Sequence, residues 1–298
     1  ALLFSLAGAA AANMKIVGFF VWGLCALFVL LRLLALRRMA PRVWRAGIVA
    51  LFSFIGFYAL LTPALWPDPI GYLRYVFINT AYFSRWQNDV FFRGIIYHLK
   101  TDILPWYYLP YTILVTTPLW ALLVIGAGHA FAAARMLKAR ATPLTDDTSA
   151  TLLLATLLWL LPLSFALLAH PTLYNGWRHF YFLYGPMLVP AAYAVKSVGR
   201  LPSKRRVLRR LGAALLALCM AATGVTMTLI HPGEYAYYNL LLYGKNLPEY
   251  MELDYWNVSV LQTLRSLLAQ LDAGETVTVS GADNYSETGL RSGWKLLS

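Results

Sequence analysis

An arginine and a histidine stand side by side in an aromatic stretch, residues 174–182, between two long apolar segments. Arg178 and His179 are therefore expected at the mouth of a membrane helix. An ionisable group at that depth is costly unless a polar or anionic partner pairs with it, which makes it a functional candidate by default. The alternative is an interfacial anchor, because Trp, Tyr and Arg are common at the level of the lipid headgroups. The spacing alone does not choose between the two interpretations.

The composition identifies the chain as an integral membrane protein. Of its 298 residues, 59% are hydrophobic and only 13% are charged, whereas a soluble domain carries about 25% charged residues. The two cysteines, Cys25 and Cys219, both lie in apolar runs. They have neither the spacing of a metal site nor the number of a disulfide framework, so they do not indicate a redox compartment.

Apolar segments predict about six full membrane spans and a partial one. About 20 apolar residues are enough to cross about 30 Å of hydrocarbon. The predicted spans cover residues 16–36, 46–65, 111–134, 152–169, 180–195 and 211–230. Residues 1–12 resemble the end of a helix cut partway through, so we expect the chain to be the C-terminal portion of a longer protein. The predicted fold class is an all-α polytopic membrane protein.

Two regions lie outside the predicted spans. Residues 66–105 form a long polar-aromatic loop, in which residues 70–84 are expected to be a helix lying in the membrane interface and residues 91–100 a second short element. Residues 231–298 hold eight of the thirteen acids and contain no spanning run. A helical pattern over 258–271 and a strand-like alternation over 276–280 predict a small extracytoplasmic α/β segment there. The expected division is therefore a transmembrane domain, 1–230, and a C-terminal segment, 231–298.

The distribution of basic residues predicts the orientation of the chain. Arg32 and the loops 37–45, 135–148 and 196–210 hold 15 of the 25 Lys and Arg and only two acids. The positive-inside rule places these loops in the cytoplasm, and loops 66–105 and 170–179 and the C-terminus outside it. The net charge of +12 then reflects orientation and anionic inner-leaflet lipid. No nucleic acid is expected as a partner.

Cations and aromatic residues on the predicted outer face suit a substrate with a lipid tail, a phosphate and a sugar. Arg and Lys bind phosphate, aromatic faces stack on sugar rings, and apolar helix grooves accept a lipid. Plainer interpretations stay open: the Tyr and Trp residues are typical of an aromatic belt, and Asp68 is placed to form an Asx turn. The sequence contains no P-loop, no dinucleotide fingerprint, no HExxH motif and no nucleophile elbow.

Four stretches follow one another in a recognisable order. They are residues 92–94 with 104–110 and 116–118, residues 175–186 beginning Asn175-Gly176-Trp177-Arg178-His179, residues 231–239, and Glu252-Leu253-Asp254-Tyr255-Trp256. Together they resemble bacterial membrane glycosyltransferases of the GT-C superfamily, which are similar to the family 39 dolichyl-phosphate-mannose protein mannosyltransferases. Asn257 stands where this family pattern has glycine.

The resemblance implies an activity and a location. Such enzymes transfer a sugar from a polyprenyl-phosphate donor to an acceptor glycan, lipid or protein hydroxyl, with inversion at the anomeric centre. The implied location is the bacterial inner membrane, with the active face and the C-terminus outside the cytoplasm. Cations are needed to stabilise the developing phosphate charge. The residues expected to bind substrate are Asn175, Trp177, Arg178, His179, Arg93, Lys15, Asp68, Glu252, Asp254, Tyr255 and Trp256.

Within this set, the resemblance implies separate roles. Arg178 is expected to bind the phosphate, assisted by His179, Arg93 and Lys15. Asp68, Glu252 and Asp254 are expected to orient sugar hydroxyls or the loops.

The catalytic base has no counterpart in the 298 residues. In this superfamily it comes from the first outer loop and activates the acceptor, so we expect it upstream of Ala1 and expect this portion alone to be inactive. A divalent cation stays open as a cofactor, although no ligand spacing demands one. Two alternatives remain: a transporter or flippase that binds lipid-linked sugars, and a catalytically dead relative that serves as a scaffold. The lack of an internal repeat and of mid-span charges counts against a transporter.

Overall fold

In a computed structural model the chain is mainly helical, with one small sheet. The structure describes residues 1–81, 89–138, 143–200 and 206–254, and positions 202, 263, 265–267, 269 and 270. The helices are α1 (Leu2–Met14), α2 (Val17–Ala35), α3 (Pro41–Leu61), α4 (Pro69–Ala81), α5 (Tyr108–Thr116), α6 (Leu119–Lys138), α7 (Asp147–Ala169), α8 (Tyr184–Gly199) and α9 (Arg206–Ile230). Strands β1 (Asp89–Phe92) and β2 (Ile95–His98) form an antiparallel hairpin.

Among the described helices, five are long and apolar enough to cross a membrane: α2, α3, α6, α7 and α9. Their apolar side chains face largely outward. No residue of α9 is buried, and α2 buries only Gly18 and Phe28. Apolar surfaces of this extent require a lipid environment, because soluble proteins rarely expose large contiguous apolar patches. The prediction of a mainly helical integral membrane protein is thus confirmed.

Two predicted spans take a different form in the structure. The span over 111–134 is divided into α5 and α6 at Thr117-Pro118, because proline disfavours the helical conformation of the residue before it. Thr117 is accordingly extended, with φ −96° and ψ 133°. The span over 180–195 begins as a 3₁₀ turn, Arg178–Leu183. It continues as α8, which has 16 residues and falls short of the five long helices.

The helices pack in two groups through small residues. In the first group α1 lies against α2 and α3. A Cβ atom on Gly18 would lie 2.3 Å from the backbone of Ala11 and Ala12, so only glycine permits this approach. The second group contains α6, α7 and α8, and a Cβ on Gly128 would lie 2.3 Å from the backbone of Pro190. Close backbone contact at small residues is the usual packing of membrane helices.

Ion pairs join the helices at one end, which we call the basic end. Arg32 of α2 pairs with Asp147 of α7 and donates to the carbonyl of Leu144 at 3.3 Å. Arg135 of α6 pairs with Asp146 at 2.9 Å. Asp146 also caps α7, since its carboxylate accepts from the backbone N–H of Ser149 at 2.8 Å. The two acids of the predicted cytoplasmic loops are therefore both paired with arginines.

The opposite end, which we call the hairpin end, is covered by α4, the β-hairpin, α5 and residues 231–254. The hairpin turns at Arg93-Gly94, whose φ angles of 54° and 80° are those of the two-residue turns that match strand twist. Residues 231–254 fold back over this region, where Met251 bridges Phe92 and the N–H of Gly94 donates to the carbonyl of Tyr250 at 3.1 Å. A buried hydrophobic cluster joins these parts to α5 and to the loop after α7.

The helix predicted over 70–84 is confirmed as α4 as far as residue 81, and residues 82–84 lie outside the described part of the chain. The second short element is the β-hairpin. Of the helix predicted over 258–271, positions 263, 265–267, 269 and 270 are described and helical. The strand predicted over 276–280 lies outside the described residues.

Candidate functional site

The loop after α7 is shaped by residues in left-handed conformations. His170 ends α7 with φ 45°, and Asn175 and Gly176 follow with φ 54° and 67°. Asparagine and glycine adopt this conformation at the least cost. The N–H of Gly176 donates to the hydroxyl of Tyr108 at 3.0 Å. The turn buries Asn175 and Trp177 and directs the chain into the 3₁₀ turn that begins with Arg178.

Trp177 fixes this loop to α5. Its side chain is only 6% exposed, and its Nε1–H donates to Oγ1 of Thr116 at 2.8 Å. Thr116 in turn donates to the backbone carbonyl of Thr112 at 2.7 Å. The indole ring meets Tyr181 edge-on at 4.8 Å between centroids. Trp177 is thus buried within the protein, rather than exposed as a membrane-surface anchor would be.

Three basic side chains meet beside this loop, and we call Lys15, Arg178 and His179 the cationic cluster. The ammonium of Lys15 donates to the backbone carbonyl of His179 at 2.7 Å, and Nε of Arg178 donates to Nε2 of His179 at 3.3 Å. The guanidinium of Arg178 lies 4.9 Å from the centre of the Tyr174 ring. Asn13 holds the turn before Lys15 by donating to the carbonyl of residue 61 at 2.8 Å.

Mutual repulsion and desolvation set the protonation of the cluster. Desolvation, and then the charge of Arg178, lower the pKa of Lys15. Desolvation, and then the charges of Lys15 and Arg178, lower the pKa of His179 to about 4. His179 is therefore a neutral acceptor at neutral pH, with its proton on Nδ1. The cluster presents two cations and one neutral imidazole.

A cavity of about 380 Å³ lies next to the cationic cluster. Its walls come from the α5–α6 break, the loop after α7, the end of α9 and residues 234–252, and they include Thr117, Asn175, Trp177, Met227, Tyr235 and Glu252. The volume is at the small end of the range for ligand pockets, about 300–1,000 Å³. Because Met227 belongs to the last turns of α9, the cavity lies at the level where the long apolar helices end.

Glu252 connects the cavity with the cationic cluster. Its half-buried carboxyl lines the cavity, and burial raises its pKa to about 7, a rise that the positive charge of Arg178 opposes. The hydroxyl of Tyr238 donates to the backbone carbonyl of Glu252 at 2.9 Å and holds this segment in place. A carboxyl that titrates near neutral pH inside a cleft is a candidate functional group.

The other predicted substrate-binding residues have different surroundings. Asp254 accepts a hydrogen bond from Tyr235, which is itself a wall of the cavity. Asp68 caps α4, since its Oδ1 accepts from the N–H of Gly71 at 2.9 Å, as the Asx-turn interpretation anticipated. Tyr255 and Trp256 lie outside the described residues.

Arg93 is exposed in the hairpin turn and is surrounded by tyrosines. Its Nε donates to the hydroxyl of Tyr250 at 2.8 Å, and its guanidinium lies 5.7 Å and 5.2 Å from the ring centres of Tyr107 and Tyr111. None of the contacts described for Arg93 is with the cationic cluster. The structure therefore brings together Lys15, Asn175, Trp177, Arg178, His179 and Glu252, and it places Asp68 and Arg93 in separate surroundings.

Sequence reasoning missed Thr117 and Tyr235 as residues of the site, and it placed Glu234 on the predicted outer face without giving it a role. Glu234 lines the cavity and contacts Nδ1 of His231 at 2.5 Å. These residues lie in the stretches 116–118 and 231–239, on which the resemblance partly rests. Nothing in those stretches indicates that the residues line a common cavity. Within the described ranges no three His, Cys, Asp or Glu side chains gather as metal ligands.

Comparisons with known proteins do not assign the chain to a family. No protein-family model matches this sequence, and no curated protein and no solved structure is significantly similar to it. The resemblance to GT-C glycosyltransferases therefore rests on the four stretches given above, and the function is inferred from the site.

Proposed function

We propose that the chain binds a polyprenyl-phosphate sugar at its hairpin end and transfers the sugar as part of a membrane glycosyltransferase. The observation that carries the proposal is the convergence of Lys15, Arg178 and His179 beside a cavity with aromatic and carboxyl walls. In this proposal the hairpin end faces away from the cytoplasm, in agreement with the positive-inside rule. The membrane would be a bacterial inner membrane, as the resemblance implies.

The cationic cluster suits the phosphate of such a donor. The planar guanidinium of Arg178 can donate two parallel hydrogen bonds to phosphate oxygens, and the ammonium of Lys15 adds a point charge. Transfer breaks the bond between the anomeric carbon and the phosphate oxygen, and the electron pair stays on that oxygen. The negative charge of the phosphate therefore grows during the reaction, and fixed cations stabilise it most where it grows.

The remaining steps concern the acceptor. Its hydroxyl oxygen bonds to the anomeric carbon from the face opposite the phosphate, which inverts the configuration. The hydroxyl proton passes to a general base, which comes from the first outer loop in the superfamily that the chain resembles. Glu252 and Asp254 would orient the sugar or the segment that carries them.

The position of the cavity suits a lipid-linked ligand. The cavity lies at the ends of α6 and α9, and the apolar side chains of α9 are unburied along the whole helix. A polyprenyl tail can lie along such a surface while its head group reaches the cavity. A transporter for lipid-linked sugars would use the same binding surface, so covalent turnover is what separates the two functions.

The test measures binding and turnover with the full-length protein in lipid nanodiscs. We expect Arg178→Ala to weaken the binding of polyprenyl phosphate at least about 10-fold, since a charge-assisted hydrogen bond contributes about 1.5–3 kcal/mol. The matched control is Arg42→Ala in the first turn of α3, which should bind as the wild type does. Unchanged binding in Arg178→Ala would contradict the phosphate site.

Turnover is followed with a polyprenyl-phosphate hexose. The transferase proposal predicts that the wild type releases free polyprenyl phosphate when an acceptor is present. Movement of the intact donor across the bilayer of sealed proteoliposomes without this product would instead support the transporter.

A further inference from the structure

A buried hydroxyl in the cavity has no partner in the described parts of the chain. Thr117 is only 2% exposed and lines the cavity. No hydrogen bond to its Oγ1 is formed by any described residue. The neighbouring Thr116 differs, because its hydroxyl accepts from Trp177 and donates to Thr112. Buried polar groups are nearly always hydrogen-bonded, so the Thr117 hydroxyl requires an explanation.

The backbone around Thr117 is held firmly on the opposite side. The side-chain amide of the buried Asn239 donates to the carbonyls of Thr117 and Leu114 at 2.6 Å and 2.7 Å. The backbone N–H of Asn239 donates to the carbonyl of Val115 at 2.7 Å. These bonds satisfy the carbonyls that the break before Pro118 leaves open. The Thr117 hydroxyl is thus a fixed hydrogen-bonding group to which no described residue bonds, as expected of a preorganised ligand contact.

A second hydrogen-bonding group of the same kind lines the cavity. The carboxyl of Glu252 receives no hydrogen bond from any described residue, although its backbone carbonyl is bonded to Tyr238. Among the described residues, the lining includes Tyr108, Trp177 and Tyr235 but no lysine, arginine or histidine. The cationic cluster therefore lies beside the cavity rather than in its wall, and the cavity combines aromatic faces with hydroxyl and carboxyl groups.

We propose that the cavity is a subsite for a single sugar ring, in which Thr117 and Glu252 hydrogen-bond ring hydroxyls while Lys15 and Arg178 bind the phosphate beside it. This inference rests on the proposed function and adds Thr117 to it as a residue that contacts the sugar. Aromatic walls stack on the ring, and a threonine hydroxyl both donates and accepts. The volume of about 380 Å³ suits one ring better than an oligosaccharide.

The test compares Thr117→Val and Glu252→Gln with the wild type in nanodiscs. Four ligands are titrated: polyprenyl phosphate, the same lipid phosphate carrying one hexose, the same lipid phosphate carrying a disaccharide, and n-octyl glucoside, which has no phosphate. We expect Thr117→Val to weaken the binding of the hexose-bearing lipid about 3- to 10-fold, as the loss of one hydrogen bond predicts. Its affinity for bare polyprenyl phosphate should stay unchanged. Thr156→Val, in α7, should bind every ligand normally.

Thermal stability separates a ligand contact from a structural role. Because no described residue bonds the Thr117 hydroxyl, valine should leave the unfolding midpoint equal or higher. Thr116→Val should lower it, since the indole N–H of Trp177 then loses its acceptor. A fall in stability in Thr117→Val, together with an equal loss of affinity for all four ligands, would overturn the inference.

Other outcomes distinguish this inference from the proposed function. Wild-type affinity of both Thr117→Val and Glu252→Gln for the hexose-bearing lipid would refute the subsite while leaving the phosphate site intact. Disaccharide and hexose lipids that bind equally well would refute the one-ring assignment. If the wild type binds no polyprenyl phosphate, the proposed function fails. In that case, binding of n-octyl glucoside that is weakened in Thr117→Val would still support the cavity as a sugar site. If n-octyl glucoside shows no binding that depends on Thr117, the sugar site is refuted as well.

Discussion

Lys15 and His179 are 164 positions apart, yet the Lys15 ammonium donates a hydrogen bond to the His179 backbone carbonyl at 2.7 Å. Lys15 stands in the turn between α1 and α2, and His179 in the 3₁₀ turn before α8. The bond therefore ties the first group of helices to the second at the hairpin end, as the Arg32–Asp147 pair does at the basic end. The same ammonium group both joins the two groups and adds charge to the cationic cluster.

Replacing Lys15 should weaken phosphate binding in a salt-dependent manner. We expect Lys15→Met to lower the affinity for polyprenyl phosphate about 10-fold, which corresponds to about 1.4 kcal/mol. Lys15→Arg should retain most of the affinity, because it keeps the charge. The distance over which exposed charges interact is about 10 Å at 0.1 M ionic strength and about 3 Å at 1 M, so the difference in affinity between wild type and Lys15→Met should shrink at high salt.

Binding titrations at low and high salt check this expectation. Lys138→Met, at the basic end, is the matched control and should show wild-type affinity at both. A loss of affinity in Lys15→Met that is independent of salt would indicate that the lysine acts only as a tether between the helix groups.

Glu252 should make the protein less stable as the pH rises. Burial raises its pKa from 4.5 to about 7, so between these values the folded chain binds more protons than the unfolded chain. The free energy of unfolding then decreases as the pH rises through this window. Glutamine resembles the protonated acid and removes the effect. We therefore expect the stability of Glu252→Gln relative to wild type to increase from pH 4.5 to pH 7.

His179 should have the opposite effect on stability, making the protein more stable as the pH rises. Its pKa is lowered from 6.5 to about 4, so the folded chain binds fewer protons than the unfolded chain between these values, and stability rises with pH there. His179→Gln should gain stability relative to wild type as the pH falls from 6.5 to 4. Thermal unfolding of both single variants across this range measures the two slopes. Parallel curves for wild type and either variant would contradict the corresponding shift.

The elements of the fold follow from local sequence to a large extent. Spans 16–36 and 152–169 are close to α2 and α7 because a run of apolar residues predicts a membrane helix without knowledge of its neighbours. Pro118 marks the point at which the span predicted over 111–134 is divided. The residues on both sides of this proline are apolar, and for that reason the sequence predicts one continuous span. The helical part of 180–195 is shortened by the 3₁₀ turn that begins at Arg178.

The site depends on contacts that no local pattern contains. The sequence shows Thr116 and Thr117 as equivalent neighbours before a proline. The position of Trp177, 61 residues away, gives the Thr116 hydroxyl an indole donor, whereas no described residue bonds the Thr117 hydroxyl. Similarly, Lys15 joins Arg178 only because α1, α2 and α7 are neighbours, which depends on helix packing. Arg93 is the opposite case. The sequence groups it with the expected phosphate-binding residues, but in the structure tyrosines surround it.

Trp177 should be important for stability, and Trp106 should not. Trp177→Phe removes the indole donor to Thr116 and leaves a partly buried hydroxyl with one bond fewer, so we expect a loss of about 1–3 kcal/mol. Trp106 is 65% exposed, and Trp106→Phe should change the stability by less than about 0.5 kcal/mol. Thermal unfolding followed by circular dichroism compares the two. Equal midpoints would show that the loop after α7 is held to α5 by other contacts.

Asp68 allows capping and sugar binding to be separated. Its Oδ1 accepts from the N–H of Gly71 at 2.9 Å, and an alanine at a helix N-cap costs about 0.5–2 kcal/mol. Asp68→Asn keeps a capping oxygen without the charge, so it should preserve the unfolding midpoint that Asp68→Ala lowers. If the carboxylate only caps α4, Asp68→Asn should also transfer sugar at the wild-type rate. A stable Asp68→Asn that has lost transfer would show instead that the charge acts on the substrate.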